Sequence, residues 1–412
     1  MVYDCMPNWA CNLKTYLIMK NYLLLFFISL LASCNTISKQ SLLEECDVVA
    51  ENVVTDKGDT LLVCDYDAVS HYVSIPLSLL VDDYQLIKLD NLTKDMMLSN
   101  TINFFPSENY IVAWGNRNRE LHIFNKNGEY IRKIGQPGNG PGDIVSKLGA
   151  IQIDELDDII YYTDFDRTRM GMYQLSTGEY IGKLPLVYGA PLISILVNPK
   201  DKTIIGAINP VINDNVRIWK QDFDGNLIHN ITSPTNDFII WRQPYLWKTG
   251  KNITYYDYKL PQENDTLFNY NEIDNSLHPC FTVKYNGNTP DNWLFETKDY
   301  YILTINVKSD RNVTKFDNAP GKRILVDKKT LKGAYVDIVL DNHGNIPITK
   351  CRFYMWGEYL TLALSPEWVA EQCENVLRNS ESLSSEEIVR LRDICDNITG
   401  EDNIFVLYGK IK

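Results

Sequence analysis

Two pairs of arginines recur at the same spacing, Arg117 with Arg119 and Arg167 with Arg169. Guanidinium groups two residues apart in an exposed loop can grip a carboxylate, a sulfate or a uronic sugar through paired N–H donors. The same residues equally suit pairing with acidic turns of a neighbouring repeat. A second cluster, Trp241-Arg242-Gln243-Pro244-Tyr245-Leu246-Trp247, gathers three aromatic rings around a proline in a predicted loop. There Trp241 and Trp247 beside Arg242 could stack on a sugar or peptide plane, or the rings could pack between structural units. Asp164-Phe165-Asp166 and Asp222-Phe223-Asp224-Gly225 offer paired carboxylates, yet neither continues with the further oxygens that calcium requires, so both read as turns. His71, His122, His229, His278 and His343 show no HxH or HExxH spacing, and no metal site is expected. The glycines of residues 135–142 lack a following Gly-Lys-Ser/Thr, and a strand rather than a helix follows Pro141, so no phosphate cradle and no cofactor are expected. No GxSxG elbow occurs. A carboxylate pair for glycoside hydrolysis cannot be picked from 53 acidic residues, because its spacing is a property of the fold.

The elements that would hold these residues come from an internal repeat. Residues 117–133 and 167–183 align without a gap, sharing the two arginines and the run Gly-Glu-Tyr-Ile (Gly128 to Ile131, Gly178 to Ile181). A period of 50 residues is in the range of propeller blades. Within one repeat, Tyr110-Ile111-Val112-Ala113-Trp114, Leu121-His122-Ile123-Phe124 and Tyr130-Ile131-Arg132-Lys133-Ile134 are strand-sized apolar runs separated by polar loops, and Asn127-Gly128 supplies a hairpin turn. Weaker copies at Phe223 to Ile228, Asp265 to Phe268 and Ile324 to Val336 bring the count to five. A sixth assembles from Cys351 to Leu364, Ile404 to Ile411 and the early strand Tyr84 to Leu89, an arrangement that closes a ring and removes a sheet edge. The expected fold is all-β: a six-bladed β-propeller of four-stranded antiparallel blades.

Between the last strands the pattern becomes helical. Ser365-Pro366-Glu367 reads as an N-cap with Pro at the first helical position, and Ser384-Ser385-Glu386-Glu387 as a capping box. Cys373 and Cys395 fall on the apolar faces of this two-helix insert (366–399), where they form either a disulfide or two buried thiols. The N-terminus has a different character. Lys20 precedes an apolar run from Tyr22 to Ala32, too short to span a bilayer, and small residues lead into Cys34. Leu31-Ala32-Ser33-Cys34 resembles the lipobox of bacterial lipoproteins, which implies acylation of Cys34. Met19 is the expected start. Residues 1–33 are thus read as leader and signal peptide, 34–80 as tether and N-terminal extension, and 81–412 as the propeller. A net charge of −13 lacks the basic footprint of a nucleic-acid binder, and 45% hydrophobic with 23% charged residues is an ordinary globular composition.

Ile134-Gly135-Gln136-Pro137-Gly138-Asn139-Gly140-Pro141-Gly142-Asp143 resembles the "IG..G.GPGE" signature of six-bladed β-propeller lipoproteins of Bacteroidetes, relatives of NHL-type propellers. Ile87-Lys88-Leu89, Glu263 to Phe268, Leu277-His278-Pro279 and Glu401 to Leu407 are similar to that family as well, with Asp143 in place of the usual Glu and Ile404-Phe405 in place of a Pro. The resemblance implies the propeller but no activity. The resulting expectation is a membrane-tethered, non-enzymatic ligand-binding or scaffolding protein, monomeric, attached by its lipid to the periplasmic face of the outer membrane, with a glycan, a peptide or an envelope protein as partner. The alternative is a carbohydrate-active hydrolase or lyase at the envelope, with catalytic groups converging on the central channel.

Overall fold

The computed structural model describes residues 42–412 except 92–97, 99–102, 115–119, 145–147, 165–168, 190–192, 210–214, 234–243, 258–264, 288–289, 291, 307–319, 349–350, 352, 380–382 and 400. Cys34 and the segment before it therefore lie outside the described residues.

Residues 46–412 form a six-bladed propeller. Blade one runs from Asn103–Pro106 through Tyr110–Trp114 and Leu121–Asn125 to Tyr130–Ile134. Blade two repeats this with Leu148–Asp154, Ile159–Asp164, Arg169–Gln174 and Tyr180–Pro185. Blade three uses Ser194–Asn198 to Leu227–Thr232, blade four Tyr245–Thr249 to Ser276–Lys284, and blade five Asn292–Glu296 to Gly333–Leu340. Blade six is composite. Tyr354–Trp356, Tyr359–Leu364 and Phe405–Ile411 come from the end of the chain, and its outermost strand comes from the beginning.

Four early strands supply that closure and more. They are β1 (Ala50–Val54), β2 (Thr60–Asp65), β3 (Tyr72–Pro76) and β4 (Val81–Lys88). β4 pairs antiparallel with the last strand, Phe405 opposite Lys88 and Leu407 opposite Leu86, where the sequence placed the closing strand. Of the stretch read as tether and extension, β2 lies parallel on the outer strand of blade four, β1 flanks β2, and β3 lies parallel on the outer strand of blade five. The early chain thus covers or builds the rim of three consecutive blades.

The inner strands are buried on both faces because each blade packs between two neighbours, whereas the outer strands alternate because one side stays in water. Phe105, Trp114, Ile134, Ile151, Tyr162 and Tyr173 fill the space between blades one and two, and Trp219 with Ile193, Ile204 and Val216 fills that between two and three.

The helical insert is α1 (Pro366–Arg378) and α2 (Ser385–Asp396), within the second-to-third-strand connection of blade six. Ser365 accepts from the Trp368 N–H at 3.2 Å, and Ser384 and Glu387 form the reciprocal capping box. The insert packs on the exit of blade five: a Cβ on Gly344, which has φ of +65°, would lie 2.7 Å from Val376 and 3.1 Å from Leu391. Cys373 and Cys395 are free thiols in hydrogen-bond contact, and burial pushes the Cys373 thiol up to about 12.

Beneath this insert His343 packs 5.9 Å from the Tyr84 ring, and burial followed by nearby Arg390 pushes its imidazole down to about 4. The unfolded chain binds a proton near about 6.5, so it gains protons before the folded chain does. The neutral ring contributes its stability in full above that pH, and the contribution is lost progressively as pH falls toward 4. In urea titrations stability should fall by roughly 2 kcal/mol across that window. His343→Gln should flatten the slope, and an unchanged slope would remove His343 as its source.

Candidate functional site

The antiparallel order of each blade puts the connections between second and third strands on one face of the disc, together with the blade-to-blade links. The tight turns lie on the other face. Arg117, Arg119 and Arg167, which the sequence reading assigned to second-to-third connections, lie outside the described residues, as do Trp241 and Arg242. Arg169 is described: it opens the third strand of blade two, opposite Pro185 on the outer strand. Trp247 corrects the expectation of a loop aromatic. It stands on the innermost strand of blade four, wholly enclosed, and is a packing residue. Tyr245 shares that strand and lies 5.3 Å from the Trp293 ring of blade five.

Arg169 lines an open groove of about 410 Å³ together with Tyr180, Gly182 and Lys183 of blade two and Asn139, Gly140 and Pro141 of the preceding link. The glycine-rich link is a structural clasp. Pro137 bridges to Ile144, the Ile144 N–H donates to the Gln136 carbonyl at 2.8 Å, and the wholly buried Ile144 side chain inserts into the core between blades one and two. The Tyr173 hydroxyl donates to the Gly142 carbonyl. Gly142 has φ of +79°, and any Cβ there would stand 2.8 Å from Tyr180, which explains the glycine. Asp143 turns its carboxylate into the loop, accepting from the Gln136 side chain at 2.9 Å and the Gly140 N–H at 2.6 Å, bonds that hold it below the usual carboxylate range.

With Asp143 turned inward, no carboxylate among the described residues lines the groove. Arg169 and Lys183 make no ion pair with a described residue. Two cations, a phenol edge and a glycine-lined wall therefore meet in one depression on a chain of net charge −13. That combination suits an anionic group, with Arg169 as the fork donor and Lys183 as a point charge.

One turn crosses the central axis. Gly357, in the inner hairpin of blade six, bridges to Trp247 of blade four, and the Lys248 N–H donates to its carbonyl at 2.8 Å. Trp356 beside it lies 4.7 Å from Phe105 of blade one. A turn that reaches blade four past blade five while touching blade one must lie across the axis.

One constellation escaped the sequence reading. His278 Nδ1 lies 2.7 Å from Asp59 Oδ1, and its Nε2 lies 2.6 Å from Ser276 Oγ. The distances are those of a Ser-His-Asp triad. Proton accounting argues against a nucleophile, because Ser276 Oγ also donates to Asp274 Oδ1 at 2.5 Å. A hydroxyl has one proton, and the Asp274 carboxylate already takes it, so none is left for His278 to abstract. The array is a clamp that fastens the turn before β2 to blade four. Asp59 is 219 positions from His278, so no local spacing could reveal it. Among the described residues no group of three or more His, Cys, Asp or Glu side chains could hold a metal ion.

Comparison with known proteins agrees with this architecture. No curated protein matches the chain. Among solved structures it is similar to a Bacteroides fragilis protein assigned to export, at 14% identity over 86% of this chain and 100% of that one, with a TM-score of 0.57. It is also similar to hydrazine synthase of Kuenenia stuttgartiensis (13% identity, 78% and 89% covered, TM-score 0.39) and to a streptogramin B lyase (11%, 68% and 80%, 0.40). Those two overlays are too loose to carry an argument, and the first shows shared architecture alone. The model of a domain of unknown function, DUF4934, matches residues 62–410, from β2 to the last strand of the chain, and the chain belongs to the DUF4934 family.

Proposed function

We propose that the protein is an exported, lipid-anchored propeller that binds an anionic ligand without chemically transforming it. The observation that carries the binding half is the groove in which Arg169 and Lys183 converge, with no carboxylate among the described residues on its walls. The turn across the axis supports the non-enzymatic half, since the hydrolase alternative needs groups converging at an open channel. Export and anchoring rest on the Lys20 to Cys34 pattern and on the likeness to the lipoprotein propellers of Bacteroidetes, including the NHL-like loop at Ile134 to Asp143. The exported Bacteroides neighbour is consistent with that address. The outer membrane is the proposed site and its periplasmic face the preferred side, because Asn35 to Gln40 lacks an acidic run after the cysteine.

Two measurements test the two halves. Cys34→Ser should abolish fatty-acid labelling in cells; persistent labelling would refute the anchor. In titration calorimetry against uronic and sulfated oligosaccharides and acidic peptides, one class should bind with an affinity that falls as salt rises, and Arg169→Ala with Lys183→Ala should weaken it more than tenfold. Equal affinity in the double variant would dismiss the groove.

A further inference from the structure

Asp47 is fixed to the rim of the propeller at the tight turn of blade five. Its carbonyl accepts from the Gly333 N–H at 3.1 Å, and Val48 next to it bridges to Lys332. Its carboxylate accepts from Ser70 Oγ at 2.9 Å and lies 3.3 Å from His71 Nδ1. Asp47 follows Cys34 by 13 positions, a stretch that reaches at most about 45 Å when fully extended. A compact body the size of Cys46–Lys412 is about 50 Å across. With Cys34 acylated, the rim opposite Asp47 therefore cannot rest on the bilayer, and the surface around Asp47 is held toward it.

That surface has the composition of a membrane interface. Val48 is 61% exposed, and Tyr72, the neighbour of His71, is 68% exposed. The Tyr72 ring stacks on Tyr335 at 4.8 Å, so it stands flat and fixed at the rim, with the Lys322 ammonium 4.8 Å from the Tyr335 ring centre. Tyr66, which follows β2, lies 5.4 Å from Tyr285 at the end of blade four's outer strand and 6.4 Å from Tyr335. Four phenols and a lysine thus gather beside the arrival point of the tether. Tyrosine suits the headgroup level because its ring is apolar and its tip polar, and lysine can lay its stem along lipid while the ammonium stays in water. Asp65 is matched by Lys284 at 4.0 Å, while Asp67 and Asp337 are exposed carboxylates that keep the rim from being basic. The attraction is accordingly apolar and interfacial, and it suits a zwitterionic headgroup layer better than an anionic one.

We propose that the rim formed by Val48, Tyr66, Tyr72 and Lys322, where blades four and five meet, rests on the zwitterionic phospholipid surface into which the chain's own lipid inserts. This rests on the lipid-anchor reading and goes beyond it by fixing the orientation of the disc, edge-on to the membrane. Blade two, which carries the Arg169 groove, lies two to three blades away around the ring and faces away from the bilayer.

The test uses the acylated full chain in vesicles of phosphatidylethanolamine and phosphatidylcholine, the phosphatidylcholine either plain or brominated on its acyl chains. Tyr72→Trp and Val48→Trp each place an indole at the rim, and Ile181→Trp places one at a position 47% exposed on blade two. All three should melt with the native chain. Bromination should quench at least a third of the emission that Tyr72→Trp and Val48→Trp add over the native chain, and none of that added by Ile181→Trp. Equal quenching at all three positions would overturn the preferred orientation. No quenching at positions 48 and 72, in a chain that still sediments with the vesicles, would overturn the docking surface and leave the anchor standing. A dimer in sedimentation velocity that Tyr72→Ser dissolves, again without quenching, would assign the rim to a second copy and overturn the proposal as well. A chain that neither takes up fatty acid nor sediments with vesicles would overturn both readings.

Discussion

Replacing Asp257 with Ala should destabilise the propeller by about 3–5 kcal/mol, one of the largest single-residue effects expected in the molecule. Arg217 of blade three and Asp257 of blade four meet across the interface between the blades, with Nε to Oδ2 at 3.1 Å and Nη2 to Oδ1 at 3.3 Å. The Tyr255 hydroxyl donates to the same carboxylate at 2.6 Å, and the guanidinium lies 4.6 Å from the Phe268 ring centre. The two side chains are 11% and 5% exposed, so the charges have given up most of their hydration and are repaid chiefly by each other. Removing the carboxylate leaves a buried guanidinium without its counter-charge, and the guanidinium cannot neutralise. Arg217→Ala should cost a similar amount for the mirror-image reason. The pair is no evidence of net stabilisation, because Arg217→Met with Asp257→Leu should recover most of the loss. Urea unfolding of the two singles and the double closes this cycle. Singles within about 1 kcal/mol of the native chain would show that water reaches the pair.

The propeller was legible because its evidence is repeated. Tyr-Ile after a Gly-Glu turn occurs at Tyr130 and Tyr180 with the same hairpin beneath each, and the shared bulge at Ile131 and Ile181 shows that the alignment of the two segments is one of structure. The closing strand was legible for the complementary reason: five blades left strands at both ends without partners, and a ring needs them joined. What stayed hidden were the parallel additions of β2 and β3. A parallel strand on a blade edge leaves no turn signal linking it to its neighbour, so Thr60–Asp65 reads as an isolated apolar run in a presumed extension.

Of the proposed groove, the sequence marked Arg169 alone. The repeat marked it, but its companions Lys183 and Tyr180 belong to the outer strand, where the sequence shows ordinary alternation, and the wall of Asn139 to Pro141 was already explained as a link between blades. Trp247 misled because Trp241 and Pro244 shortly before it suggest a loop, while Tyr245–Thr249 forms the innermost strand of blade four. Trp247 is wholly buried there, so it packs rather than binds. The clamp of Asp59 on His278 could not be read at all without the fold.

Ring closure should show itself as the difference between two truncations. A chain beginning at Leu77 lacks β1, β2 and β3 but keeps β4; one beginning at Asp90 lacks β4 as well. The first uncovers the edges of blades four and five and should lose solubility and several degrees of melting temperature while retaining one cooperative transition. The second removes the buried Val81 and Tyr84, each worth about 1.5–3 kcal/mol, and the strand that completes blade six against Phe405–Ile411. It also removes Lys88, whose ammonium lies 3.4 Å from the Asp402 carboxylate, and the strand end against which the Gly128 turn of blade one packs. Because blade six is the seam between the two ends of the chain, this loss falls on every blade rather than on one, and it is comparable with the whole margin of about 5–15 kcal/mol that holds a domain folded. The chain from Asp90 should therefore show no cooperative transition by calorimetry and a circular dichroism spectrum that changes gradually with temperature. A sharp transition matching that of the chain from Leu77 would mean that three strands suffice to close the ring, and that β4 protects an edge instead of joining the ends.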